Sequence, residues 1–166
     1  MKLYEGKAYK FGDNITTDHI IPGRYYHLRS NLKELSKHIL EDADPQLTEK
    51  LKEGDFIVGG RNFGLGSSRE HAPLIMKIRG VSAVLAKSFA RIFYRNAINI
   101  GLPAIECDTE RIKEGDKLQL DMEKGEIINT TTGERIRFRP LPPLMQKILS
   151  EGGIVNYIRK YRDFSP

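Results

Sequence analysis

The residues best suited to chemistry lie in one segment, residues 64–71, which reads Gly-Leu-Gly-Ser-Ser-Arg-Glu-His. Glycines let a chain turn sharply after a strand and leave its N–H groups open. A helix starting at Ser67 or Ser68 would direct its free N–H groups and positive dipole end to the same place. Carboxylates and phosphates bind well there. The segment predicts an anion site that includes Gly66, Ser67 and Ser68.

Arg69 supports this prediction, because a guanidinium forms a bidentate fork for a carboxylate. The alternative is a plain glycine loop with a serine N-cap and a surface arginine, and residue chemistry alone leaves the two interpretations balanced. A nucleotide site is not favoured, since the chain has neither the Lys-Ser/Thr of a P-loop nor a GxGxxG fingerprint.

Two further segments carry polar side chains. Asp18 and His19, in residues 13–22, could orient or polarise a substrate, although Asp and Thr residues often only close turns. Arg91 and Arg95 share one face of a helix predicted over residues 89–99 and could present charge to a partner or anion. Taken alone, both segments favour a structural role.

These segments need a scaffold, and strand-like and helix-like patterns alternate along the chain. Strands are predicted at residues 6–11, 55–60 and 81–86, helices at 31–40, 72–79 and 89–99, and a loop at 15–23. This alternation favours a parallel sheet. After residue 115 the pattern changes to short strands with hairpin turns at Gly125 and Thr132-Gly133, then two short helices. The predicted fold class is α/β, with a mixed, mainly parallel sheet flanked by helices and short C-terminal β hairpins, in a single domain over residues 1–166.

Composition restricts the partners. Lys and Arg outnumber Asp and Glu by 27 to 22, which gives a net charge of +5. This is either a mild surface excess of Lys or an attraction for anionic ligands. The basic residues are scattered, and no apolar run approaches the roughly 20 residues that cross a bilayer. We therefore expect neither a nucleic-acid nor a membrane partner.

Cys107 is the only cysteine, which excludes an intrachain disulfide and suits a reducing cytoplasm. The N-terminus lacks the apolar region of a signal peptide. One thiol cannot hold an iron–sulfur cluster, which takes several cysteine ligands. We predict no metal site in this chain, and any cluster that the chemistry needs must come from another chain.

Three motifs now point to a family. Residues 15–22 (Ile-Thr-Thr-Asp-His-Ile-Ile-Pro), 64–72 and 88–96 (Ser-Phe-Ala-Arg-Ile-Phe-Tyr-Arg-Asn) closely resemble, in order and spacing, the small subunits of 3-isopropylmalate dehydratase and homoaconitase. These correspond to the mobile fourth domain of aconitase. The resemblance covers nearly the whole chain and implies a swivelling β/β/α domain. It also implies dehydration and rehydration of a di- or tricarboxylate hydroxy acid, with a large partner subunit carrying a [4Fe–4S] cluster as Lewis acid.

The resemblance also implies residue roles. Ser67 matches the serine that takes the proton from carbon, and Arg69 the arginine that clamps a substrate carboxylate. Asp18 and His19 match a motif at the edge of the active site, with Asp18 the better candidate for a supporting role, and Thr17 is expected among the substrate-binding residues. The alkoxide of a serine would need stabilisation by cationic and backbone N–H groups.

Residues 25–30 match the stretch that lies over the substrate in the family. If Arg29 points out and Leu28 and Tyr26 point inward, the apolar isopropyl group is favoured. If Arg29 points inward, the extra carboxylate of homocitrate or homoaconitate is favoured, because a buried arginine needs a partner. A dehydratase of methylated malates is a further alternative. From a different functional class, the chain could be a stand-alone small-anion-binding module without a cluster partner, or an RNA-binding protein, which the scattered charges disfavour.

Overall fold

The computed structural model describes residues 3–66 and 71–162, in which seven strands form one mixed sheet. The sheet order is β4-β3-β2-β1-β5-β6-β7. The strands are β1 (Leu3–Lys10), β2 (Phe56–Val58), β3 (Ala83–Ala86), β4 (Ala104–Glu106), β5 (Lys117–Asp121), β6 (Glu126–Asn129) and β7 (Glu134–Arg137). The predicted α/β class with a mixed sheet is confirmed.

Strands β1 to β4 form the parallel half of the sheet. Every residue of β2 and β3 is buried, since helices cover both faces, and this is why these strands read as continuous apolar runs. The carboxyl ends of β1, β2 and β3 lie at the same edge. In open α/β sheets this edge is where ligands bind.

The other half of the sheet is antiparallel. Strand β5 pairs with β1, β6 with β5 and β7 with β6, so the sheet contains three parallel and three antiparallel pairings. Gly125 (φ 69°) and Gly133 (φ 82°) stand at the two hairpin turns, as the sequence predicted. Strand β1 belongs to both halves, and the register that pairs Leu3 with Asp121 also leaves Ala8 opposite Phe56.

Seven α-helices flank this sheet in the described residues. They are α1 (Thr17–Ile20), α2 (Leu32–Leu35), α3 (Leu47–Lys50), α4 (His71–Arg79), α5 (Arg91–Ile100), α6 (Pro143–Ser150) and α7 (Ile154–Tyr161). Helix α5 ends at Gly101, whose φ of 88° is the left-handed conformation that commonly closes a helix. No helix in the described ranges is both long and apolar enough to cross a membrane.

The N-terminal helices differ from two predictions. The expected loop at residues 15–23 contains α1, because Thr16 and His19 cap one turn of helix there. The expected helix at residues 31–40 stops after α2 and continues as the short 3-10 turn Ser36–His38. The Ser36 hydroxyl donates to the carbonyl of Lys33 (2.7 Å), a local bond that competes with the helix ladder, and Leu40 has a φ of 53° that no helix accommodates.

Candidate active site at the carboxyl edge of the parallel strands

The loops that follow β1, β2 and β3 lie side by side, joined through their backbones. The Gly64 amide donates to the Ile15 carbonyl (2.7 Å), and the Thr17 amide donates to the Leu65 carbonyl (2.9 Å). On the other side, the Phe63 amide donates to the Ser88 carbonyl (3.0 Å). The three sequence motifs, which are far apart in the chain, therefore meet at one edge of the sheet.

The glycines of the middle loop are required by this close approach. Gly64 has a φ of 86°, and a Cβ there would lie 2.2 Å from Cγ of Phe93. Gly66 has a φ of 121°, and a Cβ would come 3.1 Å from the Thr17 hydroxyl oxygen. The predicted ligand residues Gly66 and Thr17 are thus in direct proximity. Thr17 is 2% exposed and Gly66 is exposed.

Asp18 is exposed on helix α1, whereas the His19 side chain is engaged in capping the helix. The Thr16 side chain accepts a hydrogen bond from the His19 amide (3.1 Å), and the Thr16 amide donates to Nδ1 of His19 (2.9 Å). Because Nδ1 accepts this bond, the imidazole is committed to the cap and is not free for acid–base work through that nitrogen. Asp18 is exposed in the first turn of the helix. Asp18 is therefore better placed than His19 for a role towards a substrate.

The segment expected to read the substrate is the 3-10 helix Gly23–Ser30. The Arg29 guanidinium donates to the Tyr26 carbonyl (3.3 Å) and lies 5.0 Å from the centre of the Tyr26 ring. Arg29 is exposed, whereas Leu28 is half-buried against the core. The Tyr26 ring also meets His71 edge-on at 6.2 Å. The segment thus lies beside the first described residue of α4, immediately after the glycine–serine motif.

The same segment is fastened at its other end. Arg24 donates two hydrogen bonds to the Asp42 carboxylate (2.9 and 2.7 Å), and these bonds raise the pKa of Arg24 and lower the pKa of Asp42. The Tyr25 ring stacks on His38 with 3.8 Å between ring centres. These contacts hold the substrate-side segment against the turn that follows α2.

Ser67, Ser68 and Arg69, the predicted base and two predicted ligands, lie outside the described residues. Their roles stay predictions. The described parts of the chain place Gly66 before them and His71 after them, so both flanks of the motif are at the carboxyl edge.

The sequence reasoning missed four side chains that build this edge. Oδ1 of Asp13 accepts a hydrogen bond from the Arg61 amide (2.8 Å), and the Ser88 hydroxyl accepts one from the Asn62 amide (2.9 Å). The side-chain amide of Asn62 donates to Oδ1 of Asn14 (3.2 Å). The only signal in the sequence was the type of residue, since Asp, Asn and Ser commonly bond to nearby backbone in loops. Which loop each would bond to could not be read from it.

Arg91 and Arg95 stand apart from this convergence. Both are exposed on α5. Arg91 lines a cavity of about 800 Å³ between α5 and the proline-rich segment at residues 138–145. Neither arginine forms an ion pair within the described ranges.

The described residues do not suit a metal cluster. They contain no group of three or more His, Cys, Asp or Glu side chains placed to hold a metal ion. Burial raises the pKa of the Cys107 thiol to about 12, and the nearby Asp108 carboxylate adds to the shift. The one cysteine is therefore a protonated side chain packed against the core and not a ligand.

This burial gives a direct prediction for Cys107. Thiolate is the reactive form, and an ordinary cysteine has a pKa of about 8.5, so at neutral pH the thiolate fraction falls roughly a thousandfold. We expect iodoacetamide to alkylate the native chain at least about a hundredfold more slowly than the urea-unfolded chain, as followed by mass spectrometry. Equal rates for the two forms would contradict a half-buried thiol that stays protonated at neutral pH.

The fold and the converging motifs define a member of the aconitase group. The sequence pattern described as the Aconitase C-terminal domain matches residues 6–110. The chain belongs to this family.

Relatives extend the likeness to the whole chain. A protein named 3-isopropylmalate dehydratase small subunit 2 from Archaeoglobus fulgidus is 63% identical over 95% of this chain and 96% of its own length. The 3-isopropylmalate dehydratase small subunit 1 of Thermotoga maritima is 58% identical over 98% of both chains. A crystal structure of a 3-isopropylmalate dehydratase from Methanocaldococcus jannaschii superposes with a TM-score of 0.93, at 46% identity over 97% of this chain and 96% of that one.

Proposed function

We propose that this chain is the small subunit of a 3-isopropylmalate dehydratase, a hydro-lyase that interconverts 2- and 3-isopropylmalate in leucine biosynthesis. The observation that carries the proposal is the meeting of three family motifs at one edge of the sheet in a chain that aligns end to end with small subunits of that name. A large subunit is the partner that the proposal requires. The cytoplasm is the compartment that we expect.

The proposed division of labour follows the chemistry that each chain carries. A [4Fe–4S] cluster on the large subunit would supply a Lewis acid for the substrate hydroxyl. In this chain, Ser67 would accept the proton from carbon and Arg69 would clamp a carboxylate. Thr17 and Asp18 would line the same site, since Thr17 contacts the loop that leads into Ser67. Open backbone N–H groups of the glycine loop and the Arg69 cation would stabilise the serine alkoxide.

The isopropyl-bearing substrate is supported by the arrangement of the 3-10 segment. Arg29 already has the Tyr26 carbonyl and ring as partners and is exposed to solvent. Leu28 is half-buried and packs on the core side of the segment. An arginine that already has partners and faces solvent is not held towards a substrate carboxylate, which argues against a tricarboxylate substrate.

A methylated malate is the second candidate substrate. A relative named isopropylmalate/citramalate isomerase small subunit, from Methanocaldococcus jannaschii, is 51% identical over 95% of both chains. Its name covers two substrates that differ only in the size of the alkyl group. A methyl group is smaller than an isopropyl group, and a hydrophobic pocket discriminates only weakly against a smaller group.

The test is a substrate panel on the complex reconstituted anaerobically with its large subunit. We expect wild type to turn over isopropylmalate fastest and citraconate more slowly, and Arg29→Ala to retain kcat/KM for isopropylmalate within about threefold. Lys33→Ala, which removes a neighbouring exposed cation, is the matched control. Turnover of homoaconitate that Arg29→Ala abolishes would instead assign the chain to the homocitrate branch. A complex that turns over none of these substrates would rule out the proposed hydro-lyase function.

A further inference from the structure

Two asparagines stand face to face between the first two loops of the carboxyl edge. Asn14 has a φ of 59° and Asn62 a φ of 56°, so both adopt the left-handed conformation that few residues other than glycine accept. The side-chain amide of Asn62 donates to Oδ1 of Asn14 at 3.2 Å. Non-glycine residues in this conformation persist only where their surroundings hold them, and they cluster at functional sites.

Each asparagine is also tied to the loop opposite by its backbone. The Asn14 amide donates to the Arg61 carbonyl (2.8 Å), and the Asn62 amide donates to the Ser88 hydroxyl (2.9 Å). The pair therefore joins three loops at a point just before each enters its functional motif. Asn14 precedes Asp18 by four residues, and Asn62 precedes Gly66 by the same number.

We propose that the Asn14–Asn62 pair is a positioning pair that fixes the separation of the Asp18 loop and the loop at residues 62–66, a role that rests on the proposed function. Neither asparagine is assigned to contact substrate. The pair acts through two backbone hydrogen bonds that lie beyond it, from the Gly64 amide to the Ile15 carbonyl and from the Thr17 amide to the Leu65 carbonyl. A displacement of about 1 Å between reacting groups can cost a hundredfold in rate.

Asparagine suits both requirements of the position. Its short amide tolerates the left-handed conformation, and it carries both a donor and an acceptor. Two facing amides can bond in either orientation, so one aspartate in the pair still finds a donor opposite. Two facing aspartates at neutral pH have acceptors only, and they repel. Both residues are exposed, so the pair is expected to contribute little to global stability.

These properties define the variants. Asn14→Asp and Asn62→Asp each keep the bond, the double variant breaks it, and Asn62→Gly removes it without charge while keeping the left-handed backbone. In the reconstituted complex, with isopropylmalate as substrate, we expect each single aspartate variant to keep kcat within about threefold of wild type. We expect the double variant and Asn62→Gly to lose at least about tenfold in kcat, with KM changed by less than about threefold.

Amide hydrogen exchange on the isolated full-length chain tests the pair without any activity. We expect the Thr17 and Gly64 amides to exchange at least about tenfold faster in Asn62→Gly and in the double aspartate variant, with the Leu120 amide of β5 unchanged. Wild-type exchange at both amides in these variants would overturn the proposal, whatever the activity. Faster exchange with unchanged kcat in an active complex would also overturn it, since the separation would then not matter to catalysis. If the wild-type complex is inactive but exchange is faster in the variants, the proposed enzymatic function is rejected, and the pair still holds the two loops together.

Discussion

Replacing Ser67 with alanine is expected to lower kcat of the reconstituted complex about a thousandfold, with little change in KM. A side chain that takes a proton in the transition state contributes to kcat and not to the binding of the ground state. In the described residues, the loop that leads to Ser67 brings Gly66 beside Thr17, the first residue of α1. Turnover of isopropylmalate, followed by the absorbance of the dehydrated intermediate, is the measurement.

The control for this variant is Ser150→Ala. Ser150 is an exposed serine at the end of α6, and its hydroxyl donates only to the Lys147 carbonyl among the described contacts. It should leave kcat unchanged. Co-elution with the large subunit must be the same for both variants, so that a loss of rate is not a loss of assembly. A Ser67→Ala complex as active as wild type would remove Ser67 from the reaction.

Gly64→Ala is expected to destabilise the chain by at least about 3 kcal/mol, which adds the strain of a left-handed alanine to the cost of overpacking. The added Cβ would lie 2.2 Å from Cγ of Phe93. Phe93 is 3% exposed and cannot move freely, since it packs against Phe63 and Phe89 with ring centres 5.4 and 6.1 Å away. Urea unfolding followed by circular dichroism gives the free energy of unfolding.

Substitutions at two other glycines separate the backbone strain from the overpacking. Gly133 has a φ of 82° but nothing within 4 Å of an added Cβ, so Gly133→Ala should show the backbone strain alone, about 1 kcal/mol. Gly12 has open space and no positive φ, and Gly12→Ala should be neutral within about 0.5 kcal/mol. A Gly64→Ala chain as stable as Gly133→Ala would show that the aromatic cluster yields to the extra methyl group.

The parallel core was predictable because burial on both faces leaves a direct trace in sequence. Strands β2 and β3 are short apolar runs bounded by glycines or polar residues, and no other local pattern suits them as well. The sharp turn at Gly64 and Gly66 was predictable for the same kind of reason, since left-handed backbone favours glycine. The resemblance to a known family then supplied the roles of individual residues, which periodicity could not.

Other features depended on contacts between distant residues. Helix α1 forms because Thr16, its N-cap, exchanges hydrogen bonds with His19. In the sequence these residues cannot be told from those of an ordinary turn. The helix predicted over residues 31–40 broke because the apolar spacing of Leu32, Leu35 and Ile39 suits one turn of α-helix followed by a 3-10 turn equally well. The Asn14–Asn62 pair spans 48 residues, and no local pattern records such a partnership.

The central position of β1 has a consequence for how the chain is made. Its two partners begin far along the chain: β2 starts 46 residues, and β5 starts 107 residues, after Lys10, the last residue of β1. A strand that waits this long exposes both hydrogen-bonding edges on the ribosome, and such edges are sites of aggregation. Because the contacts that complete the sheet are so distant in sequence, closure should be slow and late. Of the seven described strands, β1 therefore waits longest for its second partner, and a chaperone that shields β1 until β5 emerges should raise the yield of folded chain.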